Sequence, residues 1–486
     1  MNSFFLETLY KNCYISFASC ERGFLHMKHQ TDLGKDSIPS LVLKLAGPAM
    51  LAQFVNVLYS IIDRMYIGHI PKTGALALAG AGICGPIVTL LSSFGTLVGL
   101  GGSILLAIRL GEQNIKKARQ ILANSFLLLA LFSAVLTVVF LLSKDHLLLW
   151  FGASEATFPY ANSYLTIYTL GTFFALMAIG LNYFITCQGF PLFGMVTVLL
   201  GAVSNIILDP IFIFLFDMGV AGAAVATVIS QFVSCAFALC FLFSKRPQVK
   251  ITFGDYNLRL MGRIIYLGIS PFLILATDSL ILIVMNASLQ HFGGESQGDM
   301  LITCATIVQS YVTLITSPML GISGGTQPII SYNYGAKLTK RVKTAEKYIL
   351  GLCLIFTTVM FLVSQLLPQV FVQFFTTDAA YIDFSIWGIK VFTMMIIPLS
   401  FQYVLVDGLT AMERTKTALA LSLFRKCSFM ALTVLLPYFL EAKAAFYAEP
   451  VSDLTASVLS TIVFLLVIDK HLKKREMAHP APEIHL

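Results

Sequence analysis

The feature that most constrains this chain is a succession of apolar runs, each long enough to cross a membrane, separated by short polar connections. About 20 apolar residues span the hydrocarbon of a bilayer as a helix. Twelve such runs lie near residues 41–66, 76–107, 118–142, 160–187, 192–216 and 219–243, then 259–289, 301–331, 345–368, 383–409, 415–439 and 446–468. The chain is 57% hydrophobic and 12% charged, and its mean hydropathy is +0.82; soluble domains do not have this composition. Backbone groups in hydrocarbon must be satisfied within their own segment, so the prediction is an all-α integral membrane protein of twelve transmembrane helices. Gly and Pro inside several runs predict bends that neighbouring helices must accommodate.

Cationic residues set the orientation, because loops rich in Lys and Arg stay on the cytoplasmic side. Of the 32 Lys and Arg, 24 fall in the two tails and in, or at the span ends beside, the loops that follow even-numbered spans, among them Lys116, Lys117, Arg119, Lys337, Lys340, Arg341, Lys343 and Lys347. The opposite loops hold three, Lys72, Lys144 and Lys443, and five (Lys44, Arg64, Lys390, Arg425 and Lys426) fall within spans. A multi-pass protein of the cell membrane with both termini cytoplasmic is therefore expected. The formal charge of +7 is explained by topology and calls for no nucleic-acid partner. Residues 1–37 read as a disordered cytoplasmic tail: the first 26 lack a signal-peptide run, Glu7 and Glu21 interrupt what is there, and Met27 is an alternative start. Residues 38–243 form a first lobe, 244–258 a cytoplasmic linker, 259–468 a second lobe, and 469–486 a second cytoplasmic tail. The cysteines show no C-x-x-C pair and the histidines lie in tails, loops or span ends, so neither a metal site nor a cofactor is expected.

The two halves read as repeats. Pro48 precedes Asp63 by fifteen residues and Pro271 precedes Asn286 by the same interval; Leu208, Asp209 and Pro210 correspond to Leu435, Leu436 and Pro437. GLGGS at 99–103 and GISGGT at 321–326 each close a second span before a basic loop. Two halves that both start inside make a parallel repeat about an axis along the membrane normal. The matched carboxylates survive only in the first half.

A charge inside the bilayer costs roughly 2.5–3.5 kcal/mol on insertion scales, so those retained there are candidates for function. Four carboxylates stand out: Asp63, Asp209, Asp278 and Asp407. Asn205 and Asp209 share one face of the fifth helix and Tyr59 and Asp63 one face of the first. Pro210 has no N–H to give the carbonyl of Ile206, which leaves an acceptor free beside Asp209. A carboxylate, an amide oxygen, a carbonyl and a hydroxyl would suit a proton or a small hard cation. Two neighbouring carboxylates in a low dielectric cannot both stay ionised without one. For Asp278 and Asp407 a hydrogen bond to a neighbouring helix explains burial equally well.

At these residues the chain resembles the multidrug and toxic compound extrusion (MATE) family, and within it the DinF-like branch. The resemblance covers about residues 38–468 and rests on NIILDPIFIF with the following GVAGAAVAT, on YSIIDRMYIGHI, on GISGGTQPIISYNYGA and on GLNYFITCQG. It implies a V-shaped pair of six-helix lobes that exports drugs in exchange for H+ or Na+ by alternating access, and no enzymatic activity. It also implies a coupling site at Asp63, Asn182, Asn205, Asp209 and Thr227, supported by Pro48 and Tyr59, with Na+ an alternative occupant at Asp63, Asn205, Asp209 and Thr227. Other branches use carboxylates on the seventh and tenth helices, which keeps Asp278 and Asp407 as second-lobe candidates. The pattern departs from the family at LLP in place of LDP and at Glu413 where the first half has Gly189. A monomer is expected, with small amphipathic compounds and the lipid bilayer as partners.

Other readings are weaker. Gly321 to Gly325 spell GxSxG without a preceding strand, so close helix packing explains them better than a nucleophile elbow. Arg425 and Lys426 are expected to snorkel. A flippase for lipid-linked saccharides shares the architecture, but its pyrophosphate cargo calls for cations in the central cavity, whereas the first lobe offers acids.

Overall fold

The computed structural model describes residues 31–375 and 378–477. The first half comprises α1 (Ile38–Gly68), α2 (Gly74–Gly111), α3 (Ile115–Trp150), α4 (Phe158–Leu170 and Thr172–Thr186), α5 (Pro191–Pro210) and α6 (Gly219–Phe243). The second comprises α7 (Leu258–Gly294) and α8 (Met300–Gly335), then α9 (Thr339–Leu366), α10 (Ala379–Phe392 and Ile396–Ala411), α11 (Thr415–Phe439) and α12 (Ala448–Met477). Ten of these elements are long and apolar enough to cross a membrane alone; α4, bent by 56°, and α10, bent by 48°, complete the twelve.

The repeat is visible in the backbone. The fourth helix of each half is the bent one. The turns after the second helices carry left-handed Gln113 (φ 58°) and Lys337 (φ 60°), and those after the fourth helices carry Gly189 (φ 87°) and Glu413 (φ 61°). Glycine is needed at 189 twice over, because a Cβ there would also lie 2.5 Å from the Thr31 carbonyl oxygen. Glu413 takes the same conformation with a side chain, which Arg263 holds at 2.5 Å.

The basic loops gather at one end of the bundle. Gln120 Nε2 donates to the Asp255 carbonyl at 2.9 Å, the Val249 amide donates to Gln188 Oε1 at 2.8 Å, and Asn257 caps α7. Residues 31–37, expected within a disordered tail, are instead ordered against this end. Leu33 is buried; its carbonyl accepts from Asn333 Nδ2 at 3.0 Å, and the Asp36 carbonyl accepts from Arg341 Nη2 at 2.7 Å. An apolar anchor and satisfied carbonyls offset the entropy of ordering this short segment. The remaining tail, including Met27, lies outside the described residues, as do residues 478–486.

The lobes meet along a seam of glycines. A Cβ on Gly268 would lie 1.8 Å from the Leu97 carbonyl oxygen, on Gly101 2.2 Å from that of Ile264, on Gly111 2.1 Å from that of Tyr332, and on Gly335 2.2 Å from that of Ile108. Helices α2, α7 and α8 therefore touch backbone to backbone, an approach that only small residues permit. The GxSxG stretch belongs to the same pattern, since a Cβ on Gly325 would lie 2.4 Å from Ala49 Cβ of α1. At the basic end Glu112, just past α2, pairs with Arg109 of its own lobe and Arg475 of α12. Partial burial pushes the Glu112 carboxyl up, but the hydrogen bonds from Arg475 and Arg109 outweigh it and hold the group below its ordinary 4.5.

Two outcomes follow from this seam. Gly268→Ala should cost about 1–3 kcal/mol through overpacking and lower the apparent melting temperature in detergent. Gly82→Ala, where nothing lies within 4 Å of the added Cβ, should not. Because the Glu112 carboxyl is held low, its pairing stabilises fully above pH 4.5 and is lost as pH falls through the lowered value. Glu112→Gln should thus lower the melting temperature near neutral pH and flatten the acid limb of its pH profile.

Candidate functional site

Four helices of the first lobe each contribute a pair of side chains one turn apart: Tyr59 and Asp63 from α1, Tyr164 and Tyr168 from α4, Asn205 and Asp209 from α5, and Thr227 and Gln231 from α6. Asn205 Nδ2 donates to Asp209 Oδ1 at 3.1 Å and, at 3.4 Å, to Thr227 Oγ1, whose own proton goes to the Ala223 carbonyl at 3.0 Å. The Asp63 and Asp209 carboxyls lie within hydrogen-bonding reach of one another. Asp209 is fully buried, and Asp63 Oδ1, Asp209 Oδ2 and Asn205 Oδ1 have no hydrogen-bond partner. Among the described residues neither carboxylate forms a salt bridge. Two carboxyls in contact bond to each other only when one carries a proton or a cation sits between them.

Local sequence builds this arrangement. Pro210 ends the regular α5 ladder, and the chain continues as a π-helical turn over Ile211–Leu215, a common consequence of a missing N–H. Space for that wider turn comes from Gly222 of α6, where a Cβ would lie 2.7 Å from the Phe212 carbonyl. The second glycine of GVAGAAVAT and the proline of NIILDPIFIF thus serve one local feature. Pro48 lies inside α1, fifteen residues before Asp63. Tyr59 is within electrostatic range of Asp63, Asp209 and Tyr168.

Asn182 is the expected site residue that the structure does not bring in. Its Nδ2 donates to the Gly194 carbonyl at 3.1 Å, and Gly194 lies eleven residues before Asn205 on α5, about 16 Å along the axis. There it packs α4 against α5. Tyr164, Tyr168 and Gln231 join the cluster without having been singled out. The Tyr164 hydroxyl reaches Thr227, and that of Tyr168 meets Ser92 and Gln231, each at 3.2 Å. The signal that could have found them is the recurrence of polar pairs four residues apart on apolar helices.

The second lobe is built otherwise. Asp278 forms an ion pair with Lys426. Arg425 contacts Asp453 at 2.6 Å and Glu449 at 3.3 Å, and donates to the Tyr403 hydroxyl at 3.4 Å. Both cations are buried, 8% exposed, so they do not snorkel as expected; buried Asp453 and part-buried Glu449 of α12, with the more open Asp278 of α7, supply the partners that water would otherwise provide. Asp407 lies apart from Asp278, beside Ser323 and Gln327 of α8.

The MatE family model matches the chain twice, over residues 48–211 and 273–435. The chain is similar to the multidrug export protein MepA of Staphylococcus haemolyticus (strain JCSC1435), 27% identical over 74% of this chain and 78% of that protein. It is likewise similar to MepA of Staphylococcus aureus (strain N315), 25% identical over the same shares. In fold it matches an outward-facing multidrug resistance MATE family transporter of the MOP superfamily, with a TM-score of 0.85 at 21% identity, covering 92% of this chain and all of the other. A MOP superfamily transporter from Pyrococcus furiosus Vc1 (DSM3638) matches with the same TM-score, identity and coverage. Two family matches, one in each six-helix half, cover most of the chain, and the chain belongs to the MatE family of membrane transporters.

Proposed function

We propose that this transporter exports amphipathic, cationic organic compounds across the cell membrane in exchange for H+ or Na+, with both termini cytoplasmic and the basic end facing the cytoplasm. The observation that carries the reading is the contact between the Asp63 and Asp209 carboxyls, buried in the first lobe without a salt bridge. Asn205 and Thr227 complete an oxygen-rich surround that suits a proton or Na+, and Asn182 has a packing role. The multidrug export relatives support the class of cargo, and the retained acid cluster supports a place in the DinF-like branch. The cation biases the lobes between their two facing states only through its different affinity for each. A flippase for pyrophosphate-linked cargo fits less well, because Arg425 and Lys426 are already neutralised by Asp453, Glu449 and Asp278.

The reading is tested in proteoliposomes with independently imposed proton and sodium gradients, following flux of a cationic dye normalised to inserted protein. Asp209→Asn keeps the shape of the side chain and removes the burial cost of its charge, so abundance should hold. Gradient-driven flux should fall about tenfold or more, within the ordinary range of coupling between sites. Wild-type flux in this variant would reduce Asp209 to a packing group. Asp278→Asn should impair coupling less than Asp63→Asn, since its charge is spent on Lys426. The reverse order would move the exchange site to the second lobe.

A further inference from the structure

One group of buried oxygens remains outside the cluster in the first lobe. Glu346 lies on α9 among Val342, Ala345, Ile349 and Cys353, all on the buried face of that helix. It is 5% exposed, and neither of its carboxyl oxygens has a hydrogen-bond partner. The carboxyl fills the space beside Gly408 of α10, where a Cβ would lie 1.7 Å from Glu346 Oε1. Asp407 is the adjoining residue and acts on Glu346 through space. From α8, Ser323 and Gln327, each 2% exposed, flank Asp407 within reach. No well-formed bond closes, since Asp407 Oδ2, Ser323 Oγ and Gln327 Oε1 are all unpartnered.

The charges around this group do not neutralise it. Glu346 feels only Asp407, and no Lys or Arg acts on either carboxyl from α1, α8 or α12 among the described residues. Beyond the four groups named, Tyr183 of α4 and Cys353 of α9 lie within electrostatic range of Asp407. Two bare carboxylates within electrostatic range of each other in such surroundings carry an uncompensated cost, and a hydroxyl and an amide cannot offset it for both. Ser323 and Gln327 are donors suited to a charged Asp407. Nothing donates to Glu346, which matches a neutral acid there.

The geometry points to a second cation-binding position, between α8, α9 and α10, at which Glu346 carries an exchangeable proton beside Asp407. Only its role in transport rests on the ion exchange proposed above; the binding of the proton does not. The group lies near the seam, because α8 also supplies the glycines that meet α1 and α2. Motion of α8 relative to α9 and α10 would change what surrounds the proton.

The test is infrared difference spectroscopy of the purified full-length protein across the neutral pH range, in an Asp63→Asn, Asp209→Asn background that silences the first-lobe pair. A protonated-carboxyl carbonyl band is expected. Glu346→Gln should remove it, and Asp407→Asn should shift its frequency without removing it. Absence of the band, or a band indifferent to Glu346→Gln, overturns the assignment. Sodium that abolishes the band at constant pH overturns it in favour of a sodium site. Gly408→Ala checks the geometry without touching a charge, since the added Cβ must displace the Glu346 carboxyl and alter the band. In liposomes, Glu346→Gln alone should lower proton-driven dye flux about fivefold or more, the lower end of ordinary coupling, at unchanged abundance; wild-type flux would overturn the transport role. A persisting band with wild-type flux in Asp209→Asn would instead sink only the first-lobe exchange reading.

Discussion

In hydrocarbon no water is available to an unpaired backbone N–H or C=O, and the rest of this structure depends on that constraint. It makes every long segment a helix and confines departures from helical geometry to places where protein surrounds them. The bends of α4 and α10, the π-helical turn after Pro210 and the left-handed turns at Gly189 and Glu413 are such places. The π-helical turn lies against Gly222, which leaves Asp209 at the end of a regular ladder with freed backbone acceptors nearby. A polar cluster therefore forms within a lobe that is otherwise apolar.

The two lobes handle buried charge in opposite ways. In the first, two acids meet without a salt bridge among the described residues, Arg64 acting on Asp63 only through space, so a proton or a cation from solution is left to bind between them. In the second, Arg425 and Lys426 bring permanent charges to Asp453, Glu449 and Asp278, which fixes those acids as structural partners that nothing soluble needs to neutralise. Glu346 and Asp407 are the exception there. A duplicated six-helix plan has thus kept its backbone and diverged in its electrostatics.

Much of this was legible in the sequence because a bilayer imposes simple periods. Run length gave the twelve helices, and spacing of four gave the Asn205–Asp209 and Tyr59–Asp63 faces. Asn182 stays out of the cluster in this structure because a family motif fixes a position in the chain but not the depth at which its amide finds a partner, and Gly194 offers one nearer. Arg425 and Lys426 were misread because snorkelling assumes a free path to the interface, while partners on α7 and α12 are distant in sequence. Glu346 is hard to recognise from sequence because it stands in a basic stretch at the edge of a span. Its place among Val342, Ala345, Ile349 and Cys353 shows the burial that local charge obscured.

The glycine seam has a mechanical consequence. Interdigitated side chains act as teeth: helices that mesh through them must change rotamers before they can slide or part. Where Gly268 meets the backbone at Leu97, and Gly111 and Gly335 meet their opposite strands of carbonyls, there are few teeth to disengage. Such a seam has few side chains to disengage, so much of the work of separating the lobes falls on its rim, where Glu112 pairs with Arg475 and where Asn333 and Arg341 hold the Leu33 and Asp36 carbonyls.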